Sequence, residues 1–204
     1  YGLNLNDDEY TLNREYDDSS FIKKWKINKK EFFKKLNKLK FKLIKKRNKK
    51  EKPKIDKKII SSWNGLALIG LLNTYEATND NKFLKIAKKN ISFIRKSIIK
   101  NNKILHLHDS HIDGFFDDYS IIIKSFIKYH EITQEIKYIK IAKKLTDIAI
   151  QKFYSKKEKF FYYSSKNSNK LIAKKIELFD NVIPSSNSIM AENLIKISKI
   201  FDES

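Results

Sequence analysis

LLNTYEATNDNKFLKIAKK at residues 71–89 and FIKYHEITQEIKYIKIAKK at residues 126–144 are two copies of one pattern, 55 positions apart. Glu76 aligns with Glu131, Thr78 with Thr133, Lys82 with Lys137 and Phe83 with Tyr138. Leu84, Ile86 and Ala87 align with Ile139, Ile141 and Ala142. A fixed period of this length marks a stack of supersecondary units. Each copy reads as helix, short turn, helix. Leu66, Ile69, Leu72 and Tyr75 recur at helical spacing, as do Ile123, Phe126, Ile127 and His130. The turns fall at 78–81 and 133–135, and second helices follow from Phe83 and from Tyr138.

The first helix of each copy opens apolar all round (GLALIGLL, SIIIKSFI), whereas the second carries a lysine-rich face (KIAKKNISFIRK, KIAKKLTDIAIQK). The first is therefore predicted to lie inside and the second outside, its apolar stripe turned inward. A third copy begins at SNSIMAENLIKISKIF, and an amphipathic helix precedes the first over 29–47, with Phe32, Leu36, Leu39 and Leu43 on one stripe. KFFYYSS and KLIAKKIEL, separated by KNSN, read as a small β-hairpin inserted between the second and third copies. The predicted architecture is all-α, a partial ring of repeated hairpins in which about six pairs would close an α/α toroid. The expected divisions are a leading helix and connector at 29–60, a first hairpin at 61–112, a second hairpin with its β insertion at 113–179, and the start of a third at 180–204. On this reading the chain is an internal fragment of one toroid domain.

Composition limits the function classes. The formal net charge is +20, yet the basic residues are almost all lysine, with arginine only at 14, 47 and 95. Nucleic-acid readers use arginine forks, and these lysines are spread over nearly every helix, so a solvated surface is expected and no specific nucleic-acid partner. A lysine-driven polyanion binder stands as an alternative. No apolar run reaches the length of a membrane span, and the absence of cysteine rules out thiol chemistry here and fits a cytoplasmic setting.

Three polar-aromatic clusters stand at or just before the starts of inner helices: SSWNG (61–65), DGFFDDYS (113–120) and DNVIPSSNS (180–188). Repeat geometry puts all three at one end of the bundle, where helix N-termini gather N–H groups that favour oxygen-rich ligands. Tryptophan and tyrosine beside aspartate and asparagine suit a sugar, because a ring stacks on C–H faces while amides and carboxylates take hydroxyls. The candidate acid/base carboxylates are Asp118 and Asp180; the candidate ligand contacts are Trp63, Asn64, Tyr119, Ser185 and Asn187. A second reading covers many of the same positions: Ser61, Ser62, Asp118, Ser185 and Asn187 are all good helix-capping types. His106, His108 and His111 in HLHDSH lack an accompanying carboxylate pattern, so they are read as a loop and no metal or cofactor is expected. His130 stands where the sister copy has Tyr75 and is read as a packing residue.

These clusters resemble one family. KPKIDKKIISSWNGLALIGLL (52–72), with Arg47 upstream, GFFDDYSIIIKSFIKYHEIT (114–133) and Asp180 with PSSNS (184–188) are similar to the motifs of the spermatogenesis-associated protein 20-like, thioredoxin-domain-containing group. The chain departs from that pattern at Lys174, where an arginine is expected, at Ser186 for glycine and at Ser120 for alanine. The resemblance implies an N-terminal thioredoxin-like domain in the full-length protein. It also implies a C-terminal toroid similar to sugar epimerases and six-hairpin glycosidases. The expected function is carbohydrate-related, on a small-molecule or glycan ligand, with a non-catalytic binding or quality-control module as the alternative.

Overall fold

The computed structural model describes residues 2–6, 9–166 and 175–202, and divides into two compact units, 1–56 and 57–204. The first unit opens with an antiparallel pair, β1 (Gly2–Asn6) and β2 (Glu9–Asn13), in a register that sets Leu3 opposite Leu12 and Leu5 opposite Tyr10. The alternation of GLNLN and EYTLN is the signal for it. Two helices follow, α1 (Asp18–Trp25) and α2 (Lys29–Arg47). Their starts are set by capping: the Asp17 side chain accepts from the Ser20 N–H, and Asn28 from those of Lys30 and Glu31. Phe21 stacks on Trp25 and meets Phe32, and neither helix has a buried residue.

The second unit carries the repeat. Helices α3 (Ser61–Thr78) and α4 (Asn81–Phe93) form one hairpin, α5 (Phe116–Thr133) and α6 (Ile136–Phe153) the next, and α7 (Ser186–Phe201) follows. α4 continues as a π-helical turn, Ile94–Ile98, into a two-residue ribbon of β3 (Ile99–Lys100) and β4 (Lys103–Ile104). The ribbon turns on Asn101 and Asn102, both at positive φ, and this Asn-Asn pair is the sequence signal for the turn.

The 55-residue period is visible down to single atoms. The left-handed residues that end α3 and α5 are Asn79 and Gln134, whose N–H groups donate to Tyr75 O and His130 O. Thr78 and Thr133 hydroxyls donate to the carbonyls of Thr74 and Tyr129, and each accepts from the amide two residues on. Beyond each turn a lysine pairs with the residue just before the outer helix, Lys82 with Asp80 and Lys137 with Glu135. The same lysines lie over the rings of Phe83 and Tyr138.

α3, α5 and α7 run parallel. The Ser62 N–H meets Asp118 at one end of the α3–α5 pair while Lys128 reaches Glu76 toward the other. Along α7, Glu192 pairs with Lys124 and Lys196 with Glu131. α5 packs against α3, α6 and α7, and its apolar residues Phe116, Tyr119, Ile121, Ile122, Ile123, Phe126 and Ile127 are buried. Leu72 and Ile127 occupy equivalent inner helices and are both in the core. The outer helices bury one stripe each, Ala87 and Ile91 on α4, and Tyr138, Ala142, Leu145 and Ala149 on α6.

Between α6 and α7 the described residues give single antiparallel pairings, Tyr154 with Phe161 and Tyr162 with Ile176. The KNSN turn expected there, and Lys174, lie largely or wholly outside the described residues.

The two helical glycines of α3 have opposite surroundings. A Cβ on Gly65 would stand 2.8 Å from Ile121 Cγ2 and 3.2 Å from Ile122 Cδ1, whereas Gly70 has nothing within 4 Å. Gly65→Val is expected to lose about 2 kcal/mol by overpacking the α3–α5 contact. Gly70→Ala is expected to gain about 0.5–1 kcal/mol from helix propensity. Urea unfolding of the two variants checks this, and equal effects would show that the helices do not pack closely at Gly65.

Candidate functional site

The inner helices start at one end, and there the hydrogen bonds converge on Asp118. It is fully buried. Its Oδ1 accepts from Ser62 N–H of α3 (2.9 Å), and its Oδ2 from Phe115 N–H at the start of its own helix (3.0 Å). His106 Nδ1 lies 2.8 Å from the same Oδ2. α3 has no side-chain cap of its own, so the carboxylate of α5 serves the first turn of two helices. Burial pushes the Asp118 carboxyl above the ordinary range, partly offset by His106 and the two backbone donors.

His106 is delivered by the loop between the hairpins. Its N–H donates to Ile112 O, and its own carbonyl accepts from Ser61 N–H. The Ser61 hydroxyl donates to Leu105 O, and Gly114 N–H donates to Ile104 O (2.8 Å). A Cβ on Gly114 would meet that carbonyl oxygen at 2.8 Å, so glycine is what lets the loop close against the strand. The HLHDSH segment is thus a loop, and one of its histidines is part of the site. No cluster of three or more potential metal ligands occurs among the described residues.

Asp117, next to Asp118, is half-buried and accepts from the Asp118 N–H (2.9 Å). Burial, then the adjacent Asp118, pushes its carboxyl up to about 6, with Glu177 adding in the same direction. Tyr163 stands beside it, its ring stacked on Phe115 (5.3 Å), and burial together with Asp117, Asp118 and Glu177 raises its hydroxyl. Lys175 lies over the Tyr163 ring and pairs with Glu177 (3.3 Å). Asp117, Glu177 and Tyr163 are not among the sequence candidates, and His106 is expected there only as a loop residue. The adjacent-aspartate doublet at the start of an inner helix was the available signal for Asp117; Glu177 and Tyr163 come from the irregular stretch and had none.

The structure sorts the sequence candidates by what occupies their polar atoms. Tyr119 is fully buried, its hydroxyl accepting from Ile104 N–H and lying 3.3 Å from Lys152 Nζ. Asn64 donates to Ile60 O. Asn187 accepts from Phe161 N–H and donates to Phe161 O and Glu177 O, which fastens the irregular stretch to the first turn of α7. Ser185 caps α7 by accepting from Ser188 N–H, and the exposed Asp180 accepts from Ser185 N–H (2.8 Å). Trp63 is 67% exposed and presents an open ring in the first turn of α3.

Parallel inner helices, with outer helices α4 and α6 on the flanks of the first two, define the chain as part of an α/α toroid of the glycosidase-like class. The model of Glycosyl Hydrolase Family 88 matches residues 33–172, and the chain belongs to that family. It is 27% identical over 168 residues to an uncharacterized protein of Caenorhabditis elegans (77% of this chain, 23% of that protein). It is 21% identical over 170 residues to spermatogenesis-associated protein 20 of Homo sapiens (76% and 22%). The chain therefore spans less than a quarter of the length of these curated relatives.

Among solved structures, a family-76 α-mannanase of Bacteroides thetaiotaomicron matches with a TM-score of 0.60 at 18% identity, over 73% of this chain and 41% of that one. An α-1,6-mannanase of Salegentibacter matches with a TM-score of 0.59 at 13% identity (71% and 43%). The latter is an inactive variant, with two consecutive aspartates changed to asparagine, in complex with α-1,6-mannotriose.

Asp117 links pH to stability. Its carboxyl is held at about 6 in the fold against an ordinary value of 3.8. The folded state therefore keeps the proton over that interval, and stability falls as pH rises from about 4 to about 6. Asp117→Asn removes the charge that the fold disfavours. It is expected to stabilise the chain by on the order of 2 kcal/mol at pH 7.5, allowing for partial exposure, and to be near neutral at pH 4. Thermal unfolding at the two pH values measures this; a stabilisation independent of pH would show that burial does not disfavour the Asp117 charge.

Proposed function

We propose that this chain contributes the acid of a glycosidase-like active site, with Asp117 as the proton donor to the leaving oxygen of a sugar substrate. The observation that carries the reading is the carboxyl of Asp117, half-buried beside the fully buried Asp118 where α3 and α5 begin. A general acid must hold its proton near working pH and still reach its substrate. Partial exposure supplies the reach; burial and the like charge of Asp118 supply the proton. Adjacent aspartates at the start of an inner helix also parallel the doublet whose replacement accompanies inactivity in the α-1,6-mannanase variant.

Asp118 serves in this scheme as the fixed charge behind the acid. Glycoside cleavage requires a second carboxyl, as nucleophile or as base for water, and Glu177 and Asp180, which precede α7, are the residues to test for it. Trp63 has the open ring a sugar face requires. Asn64, Tyr119, Ser185 and Asn187 shape the end of the bundle through bonds already made within the protein. An N-terminal thioredoxin-like domain and a cytoplasmic location are further expectations for the full-length protein; no described helix is long and apolar enough to cross a membrane.

The test is a panel of mannosides, unsaturated uronides and cellobiose presented to the full-length protein and its Asp117→Asn variant. An acid that must carry a proton loses activity as pH rises through about 6, so the alkaline limb of kcat/KM should lie there. The variant should lose on the order of a hundredfold or more in kcat. Turnover unaffected by the substitution would refute Asp117 as the acid, and glycan binding without turnover would favour a non-catalytic binding module.

A further inference from the structure

Two adjacent carboxyls at one buried site do not both ionise freely, so something outside the pair decides which of them holds the proton. Facing Asp118 are the Ser62 N–H from α3, the Phe115 N–H from the start of α5, His106 from the preceding loop, and Asp117 and Tyr163. Facing Asp117 are Asp118, His106, Glu177 and Tyr163. Of these only His106 brings a side-chain nitrogen within hydrogen-bonding distance of Asp118 (2.8 Å). Its direct effect on Asp117 is a lowering one, smaller than the raising effect of Asp118, so the action of His106 through Asp118 outweighs it.

The position of His106 is fixed. Its backbone is tied on both sides, through its own N–H to Ile112 O and through its carbonyl to Ser61 N–H. Its ring stands edge-on to Phe115, with centroids 4.9 Å apart, and three-quarters of its side chain is covered. Nδ1 is thereby presented to Asp118 Oδ2 in one orientation.

We propose that His106 is the positioning residue of the acid: its Nδ1 holds Asp118 as the carboxylate, so that the proton shared by the pair resides on Asp117. The inference rests on the reading of Asp117 as the acid. Without His106, a fully buried carboxylate keeps two backbone donors and no side-chain partner. A buried charge so weakly compensated takes up a proton instead. Asp118 then becomes the neutral member, and Asp117, relieved of the adjacent charge, releases its proton at lower pH.

The experiment follows the two carboxyls by carboxyl-carbon NMR of the aspartate-labelled chain, assigned with Asp117→Asn and Asp118→Asn, and compares His106→Phe, His106→Asn and His106→Gln. Phenylalanine keeps the packing against Phe115 and removes the donor. The asparagine amide can stand where Nδ1 stands, and the longer glutamine amide stands nearer Nε2. The expected result in His106→Phe is that the Asp117 midpoint falls by about one pH unit or more while that of Asp118 rises. Asparagine should restore at least half of the wild-type separation and glutamine less. An unchanged Asp117 midpoint in His106→Phe overturns the proposal. Should that variant fail to fold, as circular dichroism would show, equal behaviour of the asparagine and glutamine variants overturns it in the same way. Because the readout is the location of a proton, it is independent of turnover. Proton relocation in a protein that cleaves no glycan would sink the glycosidase reading alone, and cleavage without relocation would sink this one alone.

Discussion

A single buried carboxylate, that of Asp118, ties together the starts of two inner helices and the loop between the hairpins. Every helix start leaves N–H groups without intrahelical partners. α3 begins Ile60-Ser61-Ser62, and no side chain of its own caps it. Asp118 answers Ser62 from the neighbouring helix, the Phe115 N–H from its own, and His106 from the loop between the hairpins. Loss of that carboxylate would leave the buried Ser62 N–H without its acceptor, at a cost of about 1–3 kcal/mol, and would strip the half-buried Phe115 N–H and His106 of the same partner. The same carboxylate brings a negative charge next to Asp117, so the bond set that fixes the spacing of α3 and α5 also sets the electrostatics of the candidate acid.

Around this centre the hairpins are held by repeated local devices. Asn79 and Gln134 stop the inner helices in the left-handed conformation, and Thr78 and Thr133 close the turns. Asp80 caps α4 with its side chain, while Glu135, at the equivalent place, has no side-chain cap bond and meets Lys137 instead. Each device is worth about 1 kcal/mol or less. Most of the hold comes from burial, with α5 covered by α3, α6 and α7. Asn193 of α7 adds a buried polar tie by donating to Ser120 O (2.8 Å). Ser120 is the position at which the family resemblance led one to expect alanine; its hydroxyl donates to Asp117 O, three residues back in the same helix.

The net charge of +20 is the least informative property of the chain for its chemistry. Lysines with partners meet acids at the rims of helices, singly as in Lys35 with Glu31, or in a small network as in Lys124, Glu192, Lys196 and Glu131. Pairs so exposed contribute about 0–1 kcal/mol. The residues that carry the site's electrostatics are instead two adjacent aspartates, which the composition hides entirely.

The sequence by itself determined the hairpin repeat, the inner and outer rows, and the end at which the three polar clusters gather. These follow from local periodicity and a fixed period, which survive in one dimension: LLNTYEATNDNKFLKIAKK and FIKYHEITQEIKYIKIAKK already contain their turns, caps and buried stripes. Only the tertiary structure decided what each polar residue does. Asp118 and Asp117 are neighbours in the chain and differ in role because of which side of the helix start faces the interior. Tyr119 and Asn187 spend their polar atoms on distant backbone, and His106 reaches Asp118 because its loop closes against β4 at Gly114 and is tied to Ser61. Capping residues and ligand residues are drawn from the same short list of side chains. Burial and the partner across the fold distinguish them, and both are set by packing between segments that the sequence leaves far apart.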